Sequence, residues 1–304
     1  MATPMRSTDF RSIVEPILNE EFNGIYEQRA DEWAQVFKEF KGIPRNYHEE
    51  PVLYGFGAAP ELPDGMPVTY QSGGVLFIQR YVYRVYGLAF ALTKVLVEDG
   101  DHIRIGQNYA RHLAQSLIET KETLGANILN RAFNASYAGG DGKELVATDH
   151  PIANGTFSNK LSTAANLSQT SLEQLLIQIR NAVDNNGKRI RLTPKKIVTG
   201  PSNVFQAEVL LKSALRAGNA NNDINPVRSM GLLDDGQANL SRITSTTAWW
   251  VQTDAPEGLK LAMRRGLEKS MEGDFETDSM RYKATERYAF GWTDPRGVYG
   301  TPGI

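Results

Sequence analysis

The longest helical pattern in the chain runs from Asp101 to Asn134 and reads DHIRIGQNYARHLAQSLIETKETLGANILNRAFN. Large apolar residues recur in it at the spacing of one helical face, and they are Tyr109, Leu113, Leu117, Leu124 and Ile128. Asp99 or Asp101 is placed to cap its start, and Gly139-Gly140 follows its end. A helix of about 30 residues is about 45 Å long. We therefore predict a spine along which the other elements pack.

The stretch before the spine is predicted to form a long, projecting β-hairpin. Residues 55–65 read GFGAAPELPDG, and this crowding of Gly, Pro and Asp is typical of an extended loop. Two strand-like segments follow between Pro67 and Ile78, on either side of Gly73-Gly74. A Gly-Gly pair between such segments predicts the hairpin turn at that point.

The first fifty residues are predicted to be a helical arm that is only loosely anchored. Their apolar residues form stripes at helical spacing, of which the more regular contains Trp33, Val36, Phe37 and Phe40. Pro16 divides the arm and Pro44 ends it. We expect such an arm to dock on a partner as readily as on its own core.

After the spine the pattern alternates helices with short strands and then becomes rich in strands. Thr170-Ser-Leu-Glu173 has the form of a capping box that starts a helix. Strands are predicted on either side of Pro194, and a further helix from Pro201 to Gly218. Residues 281–292 show the clearest alternation of apolar and polar side chains, which predicts a strand. Its apolar face contains Tyr282, Ala284, Tyr288, Phe290 and Trp292. Glu286 is the one charged residue on that face.

Composition excludes several classes of protein. Cysteine is absent from the 304 residues, which excludes disulfides, thiolate nucleophiles and iron–sulfur ligation. The formal net charge of −2 gives no overall electrostatic reason to bind nucleic acid or an anionic membrane. No secretory h-region is present at the start, and no window approaches the roughly 18 apolar residues of a spanning helix. A soluble protein without a membrane partner is expected.

Motifs that carry chemistry are missing. The chain has no P-loop, no HExxH and no GxSxG, and Gly55-Phe-Gly57 lacks the rest of a dinucleotide fingerprint. His102 and His112 lie on different faces of the spine, so they cannot share a metal within it. Asp149 beside His150 resembles half of a triad, but sequence neighbours rarely face each other as a triad requires. We predict no catalytic residue, no cofactor and no metal site.

Two basic clusters are interpreted as solvated strand faces rather than as nucleic-acid sites, because the chain as a whole is slightly acidic. The first contains Lys188, Arg189, Arg191, Lys195 and Lys196. In the second cluster, aromatic residues alternate with basic residues, as in proteins that bind single-stranded nucleic acids. It contains Arg281, Tyr282, Lys283, Arg287 and Tyr288.

Short motifs after the spine occur in an informative order. They are Thr148–Pro151, Asn166–Ser168, Thr170–Glu173, Asp184–Gly187, Asn225-Pro226, Ala248-Trp249 and Asp294–Gly297. In this order they resemble the Mu-like major head subunit family, although Pro295 stands where that family has an aromatic residue. The likeness covers most of residues 100–304 and weakens before them.

The order of the predicted parts also resembles the Hong Kong 97-type (Johnson) fold of tailed-bacteriophage major capsid proteins. The resemblance implies an α+β fold with an N-terminal arm, an extended β-hairpin loop, a long spine helix, and peripheral and axial domains. The implied parts are an N-terminal arm (1–50), the extended loop and start of the peripheral domain (51–98), the spine helix (99–147), a mainly axial domain (148–245), and peripheral-domain strands with the C-terminus (246–304).

The resemblance implies a major head protein that forms pentamers and hexamers of itself. These would build an icosahedral shell, in the virion, around double-stranded DNA bound without sequence specificity. Assembly in the host cytoplasm, with scaffolding, portal and decoration proteins as further partners, is implied as well. The residues leave three alternatives open: an encapsulin-like compartment shell, an α/β enzyme of unknown reaction, and a tail or connector component.

Three finer expectations follow. No lysine occurs between Lys41 and Lys94, so no isopeptide cross-link through the extended loop is expected. The short stretch before the loop leaves no room for a cleavable scaffolding segment, so we expect any scaffold to be a separate protein. The predicted contacts between copies join Arg80 and Arg84 of one subunit to acids of another, namely Glu49 and Glu50.

Overall fold

Two helices pack along each other and cover one face of a β-sheet. The computed structural model describes residues 7–28, 31–93, 96, 102–216, 223–274 and 279–304. Helix α1 spans Ser7–Gln28 and helix α2 spans His102–Asn130. None of the described helices is long and apolar enough to cross a membrane.

Helix α2 is the predicted spine. Its 29 residues correspond to about 44 Å. Leu113 and Leu117 are buried, and Leu124 and Ile128 pack against the core. Tyr109 is instead about half exposed, with its ring beside that of Phe90. The predicted caps, Asp99 and Asp101, lie outside the described residues.

The sheet beneath these helices has the strand order β1-β10-β11-β4. Strand β1 runs parallel to β10, and the other pairs are antiparallel. Their bounds are β1 (Lys38–Lys41), β4 (Arg84–Thr93), β10 (Leu259–Asp274) and β11 (Ser279–Trp292). The predicted alternation in β11 is confirmed, because Tyr282, Ala284 and Tyr288 are buried towards the helices.

The predicted hairpin exists, but its turn lies elsewhere. Strand β2 (Tyr47–Tyr54) pairs antiparallel with β3 (Gly74–Val82), and exposed residues 55–73 connect them. The turn predicted at Gly73-Gly74 is therefore wrong. A Cβ on Gly74 would lie 2.6 Å from the hydroxyl of Tyr54, so this glycine permits close strand approach rather than a turn.

The prediction of a loosely anchored helical arm is wrong in two respects. Val14, Leu18 and Phe22 of α1 are fully buried against α2 and β10. Residues 31–50 form a 3₁₀ turn (Trp33–Gln35) and the strands β1 and β2 rather than a helix. The apolar stripe of Trp33, Val36 and Phe37 enters the core beside Leu129 and Tyr288. Although the apolar residues here are spaced as in a helix, residues Lys38–Lys41 form a strand because they pair in parallel with β10.

A second sheet, ordered β12-β9-β7-β8, forms the other part of the fold. Its strands are β7 (Pro194–Thr199), β8 (Gln237–Asn239), β9 (Trp249–Thr253) and β12 (Val298–Thr301). Three helices accompany it, α3 (Gln169–Arg180), α4 (Val204–Lys212) and α5 (Pro226–Ser229). Trp249 and Trp250 of β9 are fully buried. Between the spine and α3 lies a short hairpin, β5 (His150–Ile152) with β6 (Gly155–Phe157).

Two helices in this part begin or end at other residues than the sequence predicts. The capping box of α3 joins Ser168 to Ser171, two residues before the predicted start at Thr170. The helix predicted from Pro201 to Gly218 ends earlier, at Lys212, and its Phe205 is 83% exposed. The division into five parts remains a prediction.

Candidate assembly surface

The hairpin β2–β3 and its connecting loop expose many large apolar side chains. Those more than half exposed are Leu53, Phe56, Leu62, Met66, Val68, Tyr70, Val75, Ile78 and Val82. Tyr70 is 95% exposed. The loop also carries Glu61 and Asp64, and no lysine or arginine occurs between Arg45 and Arg80. Of these, four line one cleft in the loop, namely Phe56, Leu62, Val68 and Tyr70. An exposed apolar surface of this kind marks a protein–protein contact site.

A polar network fixes the base of the hairpin to the first sheet. Glu50 accepts hydrogen bonds from Lys260 Nζ at 2.7 Å and from Thr293 Oγ1 at 2.5 Å. Its carboxylate also lies 3.2 Å from His48 Nε2, and Tyr81 Oη lies 2.6 Å from Thr293 Oγ1. Burial alone would raise the pKa of Glu50, but the bonds from Lys260 and Thr293 outweigh it and lower that pKa.

A second set of contacts holds the hairpin where the loop begins. Asn185 Nδ2 donates to the carbonyl of Leu53 at 2.7 Å, and Asn186 Nδ2 donates to that of Phe56 at 3.1 Å. Both asparagines belong to the turn that follows α3. The hairpin is thus attached at both ends, and the apolar loop is presented from a defined position.

Three of the four predicted contact residues already have partners within the chain. Arg80 forms a 2.6 Å ion pair with Glu49, which lies directly opposite it in the β2–β3 register. Glu50 belongs to the network at the hairpin base. Arg84 lies exposed at the start of β4. Sequence reasoning found the residues of the hairpin, but it could not find this register, because a long loop of unknown conformation separates the two strands.

His150 lies in a buried junction that Asp149 does not enter. The His150 ring lies 2.6 Å (Nδ1) from Asp141 Oδ2 and 3.0 Å (Nε2) from Asn159 Oδ1, and it stacks on Phe157. Asp149 pairs instead with Lys143 at the surface. Asn159 Nδ2 donates to three backbone carbonyls, those of Leu145, Pro295 and Val298. The cluster contains no nucleophile, and its bonds join the segment between the spine and β5 to the start of β12.

Residues of both basic clusters have local partners within the chain. Among the described residues, no three His, Asp or Glu side chains come together as metal ligands. Lys188 pairs with Asp184, and Lys196 donates to the carbonyl of Gln35. Arg281 pairs with Asp274. These local partners favour the interpretation as solvated faces.

Comparisons with known proteins agree with this architecture. A model of a family described as phage capsid protein matches residues 81–301, which is most of the chain. No curated protein shows significant sequence similarity. The capsid of cyanophage P-SCSP1u is similar in structure, with a TM-score of 0.56 and 11% identity over 91% of this chain and 89% of that one.

Two further structures give the same result. The virus-like particle from Pyrococcus furiosus matches with a TM-score of 0.53 and 10% identity, over 94% of this chain and 98% of that one. Mycobacterium phage Che8 matches with a TM-score of 0.51 and 13% identity, over 90% and 92%. At these identities the likeness shows the fold alone. It confirms the predicted Hong Kong 97-type α+β fold.

Proposed function

This chain belongs to the phage capsid protein family, and on that premise we propose that its copies assemble as pentamers and hexamers into an icosahedral head around double-stranded DNA. Its role is structural rather than enzymatic, as a shell subunit of the phage head. The exposed apolar loop between β2 and β3 is the observation that carries the proposal. Such a surface is costly to leave in water, and a neighbouring subunit is the partner that a shell supplies.

The attachment of the hairpin supports this role. Because residues at its base and near its loop are fixed to the body, little conformational freedom is lost when the loop docks. A standard interface of about 1,600 Å² is sufficient for specificity. Repetition of individually modest contacts around a closed shell gives collective strength through multivalency.

Several finer features are part of the proposal. We propose the five-part division and kinship with the Mu-like major head subunits. We also propose assembly in the host cytoplasm with scaffolding, portal and decoration proteins as partners. A loop without lysine supports a shell without isopeptide cross-links, since the lysine amine is the nucleophile that such a bond requires. A tail or connector component is disfavoured by the capsid family match.

DNA content separates the phage head from an encapsulin-like compartment shell. Particles purified from phage-producing cells are expected to retain double-stranded DNA that resists added nuclease and becomes sensitive after the shells are opened. Agarose gel analysis before and after opening measures this. Shells that enclose protein cargo without DNA would contradict the proposed head and favour the compartment.

Arg84 is the predicted contact residue that lies exposed at the start of β4. We propose that it pairs with an acid of a neighbouring copy, so Arg84→Glu is expected to raise the protein concentration needed for assembly by several-fold, in a salt-dependent manner. Light scattering against concentration measures this. Arg80→Glu is the matched comparison, since Arg80 already pairs with Glu49 in its own chain. An unchanged assembly threshold for Arg84→Glu would remove this contact.

A further inference from the structure

A small polar pocket lies on the face of the first sheet that points away from the two long helices. Its walls belong to β10 and β11, and its volume is about 400 Å³. Pockets that hold small ligands measure about 300–1,000 Å³. The strand register places Glu268 opposite Thr285 and Ser270 opposite Lys283. Directly opposed residues share one face of a sheet, so these four side chains lie together around the pocket.

A β-bulge opens the sheet beside this pocket. Arg265 lies opposite Arg287 and Glu268 lies opposite Thr285, so β10 contains one residue more than β11 between these pairs. Such a bulge interrupts the hydrogen-bond ladder and redirects side chains, and it is common beside functional sites. Gly266, within the bulge, has open space where a Cβ would lie. The bulge therefore leaves room at the wall of the pocket that Arg265 forms.

Positive charge around the pocket exceeds negative charge. Arg265 and Arg287 lie directly opposite each other, and like charges in that position repel. Glu268 pairs with Arg265 at 3.0 Å, whereas Arg287 donates to the neutral side chain of Asn46. The exposed side chain of Lys283 forms no ion pair or hydrogen bond within the part of the chain that the structure describes. A bound anion would compensate this excess of positive charge.

Hydrogen-bonding atoms in the pocket also lack partners. Arg265 Nε and Ser270 Oγ are buried and form no hydrogen bond within the described residues, which is unfavourable for polar atoms. Thr285 Oγ1 accepts from Arg265 Nη2 at 3.0 Å and retains its own hydrogen to donate. Lys269 also borders the pocket, but its Nζ donates to Asn23 Oδ1 at 2.5 Å. A guanidinium, a free ammonium and two hydroxyls are donors that suit a tetrahedral oxyanion.

Glu268 limits which oxyanion the pocket can accept. One of its carboxylate oxygens pairs with Arg265, and a carboxylate can only accept hydrogen bonds. Sulfate and the phosphodiesters of nucleic acids carry no hydrogen at neutral pH, so Glu268 would repel them. Inorganic phosphate keeps at least one P–OH group at neutral pH, and that group can donate to the carboxylate. The pocket therefore favours phosphate over the other two anions.

We propose that this pocket binds an inorganic phosphate ion. Its oxygens accept hydrogen bonds from Arg265, Ser270, Lys283 and Thr285, and its P–OH group donates to Glu268. The bound anion also reduces the repulsion between the arginines that face each other at the bulge. The inference goes beyond the proposed function and does not depend on it, because a single subunit provides every group of the site.

Thermal unfolding of the free subunit tests the site with inorganic phosphate, sulfate and chloride at one ionic strength. Phosphate is expected to raise the melting temperature in a saturable manner, because it binds the folded chain. Sulfate is expected to bind at least about tenfold more weakly, because it cannot donate a hydrogen bond to Glu268. Isothermal titration calorimetry of the same samples gives the two dissociation constants.

Variants on the same face assign the binding to this pocket. Lys283→Met is expected to weaken phosphate binding about tenfold, since it removes a charged donor. Arg281→Met is the matched control, because Arg281 lies opposite Glu272 and pairs with Asp274, and it should leave phosphate binding nearly unchanged. Glu268→Gln is expected to remove the preference over sulfate, because an amide can donate to either anion.

A DNA duplex without terminal phosphates separates free phosphate from nucleic acid as the occupant. The duplex is expected not to displace phosphate from the subunit. Displacement that disappears in Lys283→Met would assign the pocket to the nucleic-acid backbone and overturn the proposal. Equal binding of phosphate and sulfate, or equal losses in Lys283→Met and Arg281→Met, would indicate unspecific charge screening and overturn it too. Absence of any phosphate effect would do the same, and each of these results leaves the shell role intact.

Discussion

Replacement of Lys121 by alanine is expected to lower the free energy of unfolding by about 3–5 kcal/mol, because it leaves a buried carboxylate without its counter-charge. Lys121 Nζ lies 2.8 Å from Glu286 Oε2 and 2.7 Å from Tyr26 Oη. The side chains of Lys121 and Glu286 are 8% and 2% exposed. Tyr26 also donates to Glu286, and burial together with that carboxylate raises the pKa of Tyr26. The cluster joins α1, α2 and β11.

Urea unfolding followed by tryptophan fluorescence measures this loss. Arg111→Ala is the matched control on the same helix, because Arg111 pairs with Glu21 at the surface and its removal is expected to change stability little. The double variant Lys121→Met with Glu286→Leu is expected to regain much of the loss, since no buried charge then lacks a partner. A Lys121→Ala variant as stable as Arg111→Ala would contradict the account.

Asn159→Ala is expected to cost at least about 3 kcal/mol, because several buried backbone groups would lose their hydrogen-bond partner together. Asn159 Oδ1 accepts from the Ala147 amide at 2.9 Å. Its Nδ2 lies 2.7–2.9 Å from the three carbonyl oxygens it bonds. The side chain is fully buried, so no water can replace it without rearrangement. The loss should loosen the junction between β12 and the segment that connects the spine to β5.

Asn203→Ala is the matched control for this prediction. Asn203 Nδ2 also donates to two carbonyls, but at 3.3 and 3.4 Å and from a half-buried position. Its removal is expected to cost less than about 1 kcal/mol. If both variants lose the same free energy of unfolding in urea, the Asn159 hydrogen bonds stabilise the fold no more than those of Asn203, which would contradict this prediction.

Regular periodicity explains which parts of the fold could be predicted. The spine and β11 can be predicted from the sequence because their apolar residues recur at a regular spacing over many residues. Glu286 stood out within the apolar face of β11, but its partners lie far away in the sequence, at Lys121 and Tyr26. No local pattern identifies such partners. The same holds for Asp141 and Asn159 around His150.

Short motifs were less reliable, because neighbouring positions satisfy the same local rule. Ser168 with Ser171 caps α3 in place of Thr170 with Glu173. Gly73-Gly74 resembles a turn, yet Gly74 begins β3. In both cases packing against distant parts of the chain selects among local options that are nearly equal in free energy.

Negative-stain electron microscopy of the purified chain, combined with size-exclusion chromatography, tests the central claim most directly. A shell subunit with an unpartnered apolar loop should form closed particles, or pentamers and hexamers that close when a scaffold is supplied. A homogeneous monomer or dimer that never assembles, even with its neighbouring genes co-expressed, would contradict the account.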